Sequence, residues 1–270
     1  MPLAVCATPI GNLDDVTLRV LDELREADLV LCEDTRRTRV LLERHGIEAA
    51  RLLSYHEHVE ARRVAEVLPR LERGERVALV SDAGLPGISD PGQRLVDAAL
   101  AVGVPVTVLP GPSAVETALV ASGLGSDAAY RFLGYLPRRK GELEALWARL
   151  ETWPTVIVAF ESPRRLPASL ASLAAAQPER RIAVCRELTK RFEEVVRGTA
   201  AEVAGRFQQP PRGEITLVLA PGRVARDDGL EQAVGAVREL VGLGVPRRRA
   251  AEIVAPLADV ARNELYRRSL

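Results

Sequence analysis

The sequence predicts an α/β protein with two sheet-forming domains and a small helical extension at the end. Three observations lead to this fold class. Short apolar runs of strand length alternate with amphipathic helical runs as far as residue 220. Loops rich in Gly and Pro follow several strand runs, most prominently at residues 81–92. Beyond Pro221-Gly222 only helical periodicity remains.

The first half reads as a parallel sheet covered by helices, because its strand runs are apolar on both faces. The predicted strands are Leu3–Thr8, Asp28–Glu33, Leu52–Tyr55, Arg76–Val80 and Val104–Leu109. The predicted helices are Thr17–Arg25, Thr35–Arg44, Val59–Leu71, Gln93–Leu100 and Ser113–Ala121. We expect this N-terminal α/β domain to occupy residues 1–115.

A second α/β domain is expected at residues 116–225, where Gly123 and Gly125 end the helix that precedes its first strand. Its predicted strands are Phe132–Tyr135, Thr155–Phe160, Arg181–Cys185, Glu194–Arg197 and Ile215–Ala220, with helices at Gly141–Leu150, Leu166–Ala175 and Ala200–Phe207. Residues 226–270 form the helical extension. Its helices are predicted at Leu230–Val241, at Arg247–Leu257 and, capped by Asp259, through Tyr266.

Composition is that of a soluble globular protein. The 270 residues carry 37 basic and 37 acidic side chains, so total charge indicates no polyanionic partner. No apolar run approaches the roughly 20 residues that span a bilayer, and we expect no membrane association. The three cysteines lie in separate strand runs, which favours reduced thiols and a cytoplasmic location. Arginines cluster at 36–39, 138–139, 164–165 and 247–249, and their planar forks suit phosphate.

Four loops follow strands of the first half, and the carboxyl ends of parallel strands share one edge of a sheet. They are residues 8–13, 33–36, 81–92 and 110–114. Their convergence predicts a site for a nucleotide-like or polar ligand. The fingerprints of NAD and ATP sites are absent from the sequence, as is the nucleophile elbow of serine hydrolases. His56 and His58 are expected to point to one face of a strand, but they lack a third ligand of suitable spacing, so we expect no metal site.

Two loops of the second half place a carboxylate beside cations at a strand end. They are Glu161-Ser162-Pro163-Arg164 and Cys185-Arg186-Glu187-Leu188-Thr189-Lys190. The segment Arg212-Gly213-Glu214 precedes the last strand and could bring Glu214 to the same cleft. Surface ion pairs are the alternative reading of each loop taken alone.

Six of these segments, taken in order, resemble the ribosomal RNA branch of the tetrapyrrole methylase superfamily. They are Thr8-Pro9-Ile10-Gly11-Asn12-Leu13, Glu33-Asp34-Thr35-Arg36, residues 81–92, Pro110-Gly111-Pro112-Ser113-Ala114, Glu161-Ser162-Pro163-Arg164 and Cys185-Arg186-Glu187-Leu188-Thr189-Lys190. The resemblance covers nearly all of both predicted α/β domains. Arg212 stands where a Lys is common, which keeps the charge.

This resemblance implies a homodimer that holds S-adenosylmethionine in a cleft between two α/β domains. It also implies methylation of the ribose 2′-hydroxyl of a decoding-centre cytidine in 16S ribosomal RNA (16S rRNA), within the small ribosomal subunit. The implied cofactor contacts are Pro9, Ala83, Gly84, Leu85, Ile88, Ser113, Ala114, Phe160 and Leu188. Asp82 or Asp90 could face the sulfonium or the amino group of the cofactor.

A ribose hydroxyl is a poor nucleophile near neutral pH, so we expect a carboxylate or a lysine to take its proton. The candidates are Asp34, Glu161, Glu187, Lys190 and Glu214, among which the sequence does not choose. Arg36, Arg164 and Arg186 are expected to hold RNA phosphates.

Two other functions remain open at this stage. One is another activity of the same superfamily, either C-methylation of a tetrapyrrole or methylation of a modified histidine on a translation factor. The other is a nucleic-acid-binding regulator built on the helical extension, with a vestigial α/β part.

Overall fold

The computed structural model describes residues 2–48, 51–125, 129–222, 226–258 and 260–270. The chain divides into two compact units. The larger unit comprises Met1–Glu144 and Val156–Ala220, and it contains both sheets. The smaller unit comprises Ala145–Thr155 and Pro221–Leu270. The two predicted sheets and the α/β class are confirmed, whereas the exact domain boundaries expected from the sequence stay a prediction.

The first sheet has five parallel strands in the order β3-β2-β4-β1-β5, which confirms the parallel sheet predicted for this half. The strands are β1 (Leu3–Cys6), β2 (Leu29–Cys32), β3 (Leu52–Ser54), β4 (Val77–Val80) and β5 (Val106–Leu109). The helices are α1 (Leu18–Glu26), α2 (Thr35–Arg44), α3 (Glu60–Glu72), α4 (Gln93–Ala101) and α5 (Ala114–Ser122). Apolar clusters cover both faces of the sheet.

Capping residues fix where the helices beside the site begin. Thr17 accepts a hydrogen bond from the backbone of Val20 at the start of α1. Asp34 accepts one from the backbone of Arg36 and so ends the loop after β2. The prediction that His56 and His58 point to one face of a strand is wrong. Instead they belong to a 3₁₀ turn around Glu57–Val59, which precedes α3.

The second sheet is mixed, with the order β6-β7-β10-β8-β9. Its strands are β6 (Tyr130–Tyr135), β7 (Val156–Glu161), β8 (Arg181–Arg186), β9 (Glu194–Thr199) and β10 (Ile215–Leu219). Only β6 and β7 pair in parallel. Since β10 runs antiparallel to both β7 and β8, its first residue, Ile215, pairs with Glu161 and Arg186 at their carboxyl ends. The loop before β10 therefore meets the loops after β7 and β8. The helices of this half are α6 (Lys140–Leu150), α7 (Leu166–Ala176) and α8 (Ala200–Arg206).

The smaller unit contains the end of α6, from Ala145, and among its other described residues the helices α9 (Arg226–Gly242), α10 (Arg247–Val254) and α11 (Arg262–Arg268). Leu230, Val237, Ala250 and Leu265 lie in its apolar core. The helix α10 ends three residues earlier than predicted, and Ala261 is the N-cap of α11. The predicted cap, Asp259, lies outside the described residues.

Within the described residues, no helix combines the length and the apolar character needed to cross a membrane. Cys6, Cys32 and Cys185 are buried and unbridged.

Candidate active site

A cavity of about 880 Å³ lies where loops of the first sheet face the second sheet. Nearly all of the predicted cofactor residues line it. These are Asp82, Ala83, Gly84, Leu85, Ile88, Ser113, Ala114, Phe160 and Leu188. Pro9 lies instead on a smaller neighbouring cavity of about 330 Å³. The structure therefore brings together residues from four loops that are far apart in the sequence.

The loop at residues 81–92 is fixed by backbone bonds to the loop after β1. The amide of Thr8 donates to the carbonyl of Gly84 at 2.8 Å, and the amide of Gly84 donates to the carbonyl of Thr8 at 2.9 Å. Gly84 has φ +80°, a conformation that favours glycine. The Ser81 hydroxyl donates to the same Gly84 carbonyl at 3.1 Å. The segment that follows Gly84 thus leaves the sheet in a defined direction toward the cavity.

Carboxylates form one side of the cavity. Glu33, Asp82, Asp90 and Glu214 all line it. Burial raises the pKa of Asp90 to about 7, and the nearby charges of Glu33 and Asp82 add to this shift. Burial and the charge of Asp82 also raise the pKa of Glu33. A bound cation would relieve this repulsion, so the wall is suited to a positively charged ligand.

Aromatic side chains form another part of the lining. The ring of Phe160 meets the rings of Phe132 and Tyr135 edge to face, at centroid distances of 4.9 and 5.6 Å. The hydroxyl of Tyr130 donates to Glu116 at 2.5 Å. Sequence reasoning selected only Phe160 from this group. The other aromatic residues follow the strand pattern of β6 and carry no motif, so the sequence holds no local signal for their role.

Glu187, Lys190 and Glu214 form one cluster. The Lys190 ammonium donates to Glu187 Oε1 at 2.8 Å and to Glu214 Oε2 at 3.0 Å. The amide of Glu214 donates to Glu187 Oε1 at 3.0 Å. Burial raises the pKa of Glu187, but the bonds from Lys190 and Glu214 outweigh it and the net shift is downward. Burial lowers the pKa of Lys190, but its two carboxylate partners outweigh it and the net shift is upward. The lysine is therefore held in its charged form.

The other two candidate proton acceptors lie apart from this cluster. Asp34 is bound by the Arg36 guanidinium through two hydrogen bonds, of 3.0 and 2.6 Å, and this pairing lowers the Asp34 pKa far below its ordinary value. Glu161 is buried, and its carboxylate accepts from the amide of Ser162 and the hydroxyl of Ser169 and pairs with Arg165 at 2.5 Å. Both oxygens of Glu161 are thus engaged, and its carboxylate fixes the start of α7.

The three predicted RNA-binding arginines do not line the cavity, but each is next in the chain to a residue that does. Arg36 is exposed but tied to Asp34. Arg164 is exposed, directly after Pro163 on the cavity lining. Arg186 pairs with Glu194 at 3.0 Å and donates to the carbonyl of Arg212 at 3.2 Å. Sequence reasoning missed Arg37, which lines both cavities and pairs with Asp82 at 3.4 Å. The sequence signal that could have identified Arg37 is the arginine cluster at residues 36–39, which follows β2.

In the part of the chain that the structure describes, no group of three or more His, Cys, Asp or Glu residues could hold a metal ion.

Comparison with solved structures identifies the fold as one shared with known methyltransferases. A uroporphyrin-III-C-methyltransferase from Thermus thermophilus matches with a TM-score of 0.57 and 20% identity, over 84% of this chain and 96% of that chain. The methyltransferase CobJ matches with a TM-score of 0.59 and 20% identity, over 81% and 93%.

Residues 2–204 match the sequence profile of the Tetrapyrrole (Corrin/Porphyrin) Methylases, and the chain belongs to this family. It is a methyltransferase that uses S-adenosylmethionine, as predicted from the sequence. A curated relative from Mesorhizobium japonicum is 42% identical over 99% of this chain and 91% of its own length. A relative from Thermotoga maritima is 44% identical over 81% and 97%. Both are named ribosomal RNA small subunit methyltransferase I.

The larger cavity fits this cofactor. Its volume lies within the usual range for cofactor sites. The carboxylates Glu33, Asp82 and Asp90 suit the positive charge of a sulfonium, and the apolar residues Leu85 and Phe160 suit uncharged parts of the molecule.

Proposed function

We propose that this methyltransferase methylates the ribose 2′-hydroxyl of a decoding-centre cytidine in 16S rRNA, within the small ribosomal subunit. The observation that carries the proposal is the position of the Glu187–Lys190–Glu214 cluster at the edge of the carboxylate-lined cavity. The names of the relatives at 42% and 44% identity support an RNA substrate. The neighbouring smaller cavity leaves room for a substrate beside the cofactor site.

When bound, S-adenosylmethionine would supply a methyl group for transfer to an oxygen nucleophile, with its sulfur leaving as a neutral thioether. The tasks left to the protein are to align the two partners, to exclude water and to accept a proton. The loop fixed by Thr8 and Gly84 serves the first task, since its backbone is held from both sides. The aromatic rings of Phe132, Tyr135 and Phe160 serve the second.

Glu214 is the best placed of the five predicted proton acceptors. It lines both cavities, whereas Asp34 lines neither and Glu161 is saturated by hydrogen bonds. Its side chain is 64% exposed, and only its Oε2 atom is bound by Lys190 among the described residues. The second oxygen can therefore accept a proton from a hydroxyl. Lys190, held as a cation, keeps this carboxylate oriented and can also attract a phosphate.

The arginines around the cavity would hold the RNA backbone. Arg164 is exposed beside the cavity lining, and Arg36 keeps 85% of its side chain exposed despite its pairing with Asp34. Arg186 is more enclosed, so we assign it mainly to the orientation of the loop before β10.

We further propose that the enzyme is a cytoplasmic homodimer. The resemblance of the loop segments to the tetrapyrrole methylase superfamily supports this association state, since it implies a homodimer. Sedimentation equilibrium over a range of concentrations would measure the association state directly.

Tritiated S-adenosylmethionine offered to unmodified 30S subunits, naked 16S RNA and a precorrin tests the proposed reaction. We expect label on the 30S subunit. The RNA backbone should then resist alkaline cleavage directly after a single cytidine, because its 2′-hydroxyl is methylated. Label on the precorrin alone would favour the tetrapyrrole activity and overturn the proposal. Binding of RNA without label would favour a regulator.

A further inference from the structure

The smaller cavity adjoins the site but contains few of the predicted cofactor residues. It lies between the loop after β1 and the helix α2, and it has a volume of about 330 Å³. Pro9 and Leu13 line it from the loop, and Val40 and Leu41 line it from α2. Val40 is 53% exposed, so this wall is accessible from solvent.

The two cavities adjoin, because five residues line both of them. These residues are Ile10, Arg37, Asp82, Ala83 and Glu214. Two ion pairs belong to this shared boundary. Arg37 pairs with Asp82 at 3.4 Å, and Lys190 pairs with Glu214 at 3.0 Å. A ligand in the smaller cavity would therefore contact both ion pairs where the two cavities meet.

The charge of the smaller cavity differs from that of the larger one. Arg37 and Lys190 are its cations, and Lys190 does not line the larger cavity. Glu33 and Asp90, whose pKa values are raised by burial, line only the larger cavity. Asp82 and Glu214 also line the smaller cavity and pair with these two cations, so its charges balance, whereas carboxylates outnumber cations in the larger cavity. The sulfonium is therefore favoured in the larger cavity, and a ligand that carries an anionic group meets less repulsion in the smaller one.

We propose that the smaller cavity receives the target ribonucleotide of the RNA. This inference rests on the proposed function and adds the place of the substrate to it. The apolar wall of Pro9, Leu13 and Val40 would contact the base, and the cations Arg37 and Lys190 would face the phosphate. The ribose would lie at the shared boundary, where its 2′-hydroxyl comes within reach of Glu214.

The volume is consistent with one nucleotide and not with a longer stretch of RNA. Sites for small ligands start at about 300 Å³, and the smaller cavity is close to this lower limit. A single nucleotide therefore has to leave the stack of its neighbours to enter, as in other enzymes that modify nucleotides within folded RNA or DNA.

Filling the cavity tests this assignment. The variant Val40→Trp adds bulk on the wall of the smaller cavity and leaves the residues of the larger one unchanged. We expect the Kd for S-adenosylmethionine, measured by calorimetry, to stay within about threefold of the wild-type value, because Val40 is absent from the cofactor cavity. We expect kcat/KM for unmodified 30S subunits to fall by about 100-fold, the typical cost of displacing a reacting group. The matched control is Val102→Trp, at an exposed valine that lines neither cavity.

The outcomes separate this inference from the function on which it rests. Full activity of Val40→Trp on 30S subunits, with an active wild type, would overturn the nucleotide site and leave the proposed function intact. An inactive wild type on both 30S subunits and 16S RNA would overturn both. If Val40→Trp lost cofactor binding or failed to fold, Val40→Phe, which adds less volume, would be judged by the same two measurements.

Discussion

The Lys190 ammonium lies 2.8 Å from Glu187 Oε1. This pair organises the loop after β8, which packs against the loop after β1. Glu187 has φ +52° and Thr189 has φ +64°, both in the left-handed region that L-residues rarely adopt. The hydroxyl of Thr189 accepts a hydrogen bond from the amide of Asn12 at 3.0 Å. Backbone strain of this kind persists only where its surroundings enforce it, and it is frequent at functional sites.

The ion pair predicts a stability effect for Lys190→Met. Glu187 is only 19% exposed, so loss of the ammonium leaves a half-buried carboxylate without its cation. We expect the free energy of unfolding in urea to fall by about 1–3 kcal/mol. The control is Lys140→Met, since Lys140 is 86% exposed and its pairing with Glu144 at 3.7 Å should contribute less than about 1 kcal/mol. Equal effects of the two substitutions would contradict a specific role of the pair.

Gly11 predicts a second effect, because the loop of Lys190 packs directly against it. A Cβ at this position would lie 2.7 Å from Thr189 Oγ1 and 2.8 Å from the Leu188 carbonyl oxygen. We expect Gly11→Ala to lower the free energy of unfolding by about 1–3 kcal/mol and to weaken cofactor binding, since Leu188 lines the cavity. The control is Gly205→Ala, because Gly205 lies in α8 and has open space where a Cβ would be added. This substitution should be neutral or should stabilise the protein by up to about 1 kcal/mol. Wild-type stability of Gly11→Ala would show that the loops do not need this close approach.

The raised pKa of Asp90 predicts how stability depends on pH in the absence of ligand. The folded-state pKa is about 7, whereas the unfolded value is about 3.9. Between these values the folded state holds a proton that the unfolded state has lost, so stability from this group decreases as pH rises through the window. We therefore expect Asp90→Asn to be more stable than wild type at pH 8 and nearly equal to it at pH 4. Because the side chain is partly exposed, the difference should be on the order of 1 kcal/mol.

Urea unfolding at both pH values measures this difference, and Asp97→Asn, at an exposed aspartate of α4, provides the control. A pH-independent difference between Asp90→Asn and wild type would rule out the raised pKa.

The assignment of Glu214 predicts a loss of turnover without a loss of cofactor affinity. We expect Glu214→Gln to lower kcat on 30S subunits by about 10²–10⁴-fold, the usual contribution of a general base. The Kd for S-adenosylmethionine should change little, since the cofactor wall keeps Glu33, Asp82 and Asp90. Glu43→Gln, at an exposed residue of α2 that lines neither cavity, should behave as wild type. Normal turnover of Glu214→Gln at all pH values would remove this residue from the mechanism.

Local patterns in the sequence were sufficient for most of the secondary structure. The helix predicted at Thr35–Arg44 has the same bounds as α2 in the structure, where Asp34 caps its start and Gly46, with φ +60°, follows its end. The predicted strand face at His56 and His58 was wrong, since two alternating polar residues after a short strand do not distinguish an extended chain from the tight turn that the structure has there. The mixed pairing of the second sheet was likewise not predicted, because strand direction depends on which strands become neighbours.

The sequence by itself determined the α/β class, the parallel first sheet and the loops that line the cavity, since these follow from short-range periodicity and from the positions of Gly and Pro. Only the tertiary structure decided which charged groups meet. It tied Asp34 to Arg36, buried Glu161 against Arg165, joined Lys190 to Glu187 and Glu214, and placed Arg37 between two cavities. The reason is physical. The charge state and reach of a side chain depend on its burial and on neighbours distant in sequence, which no local pattern specifies.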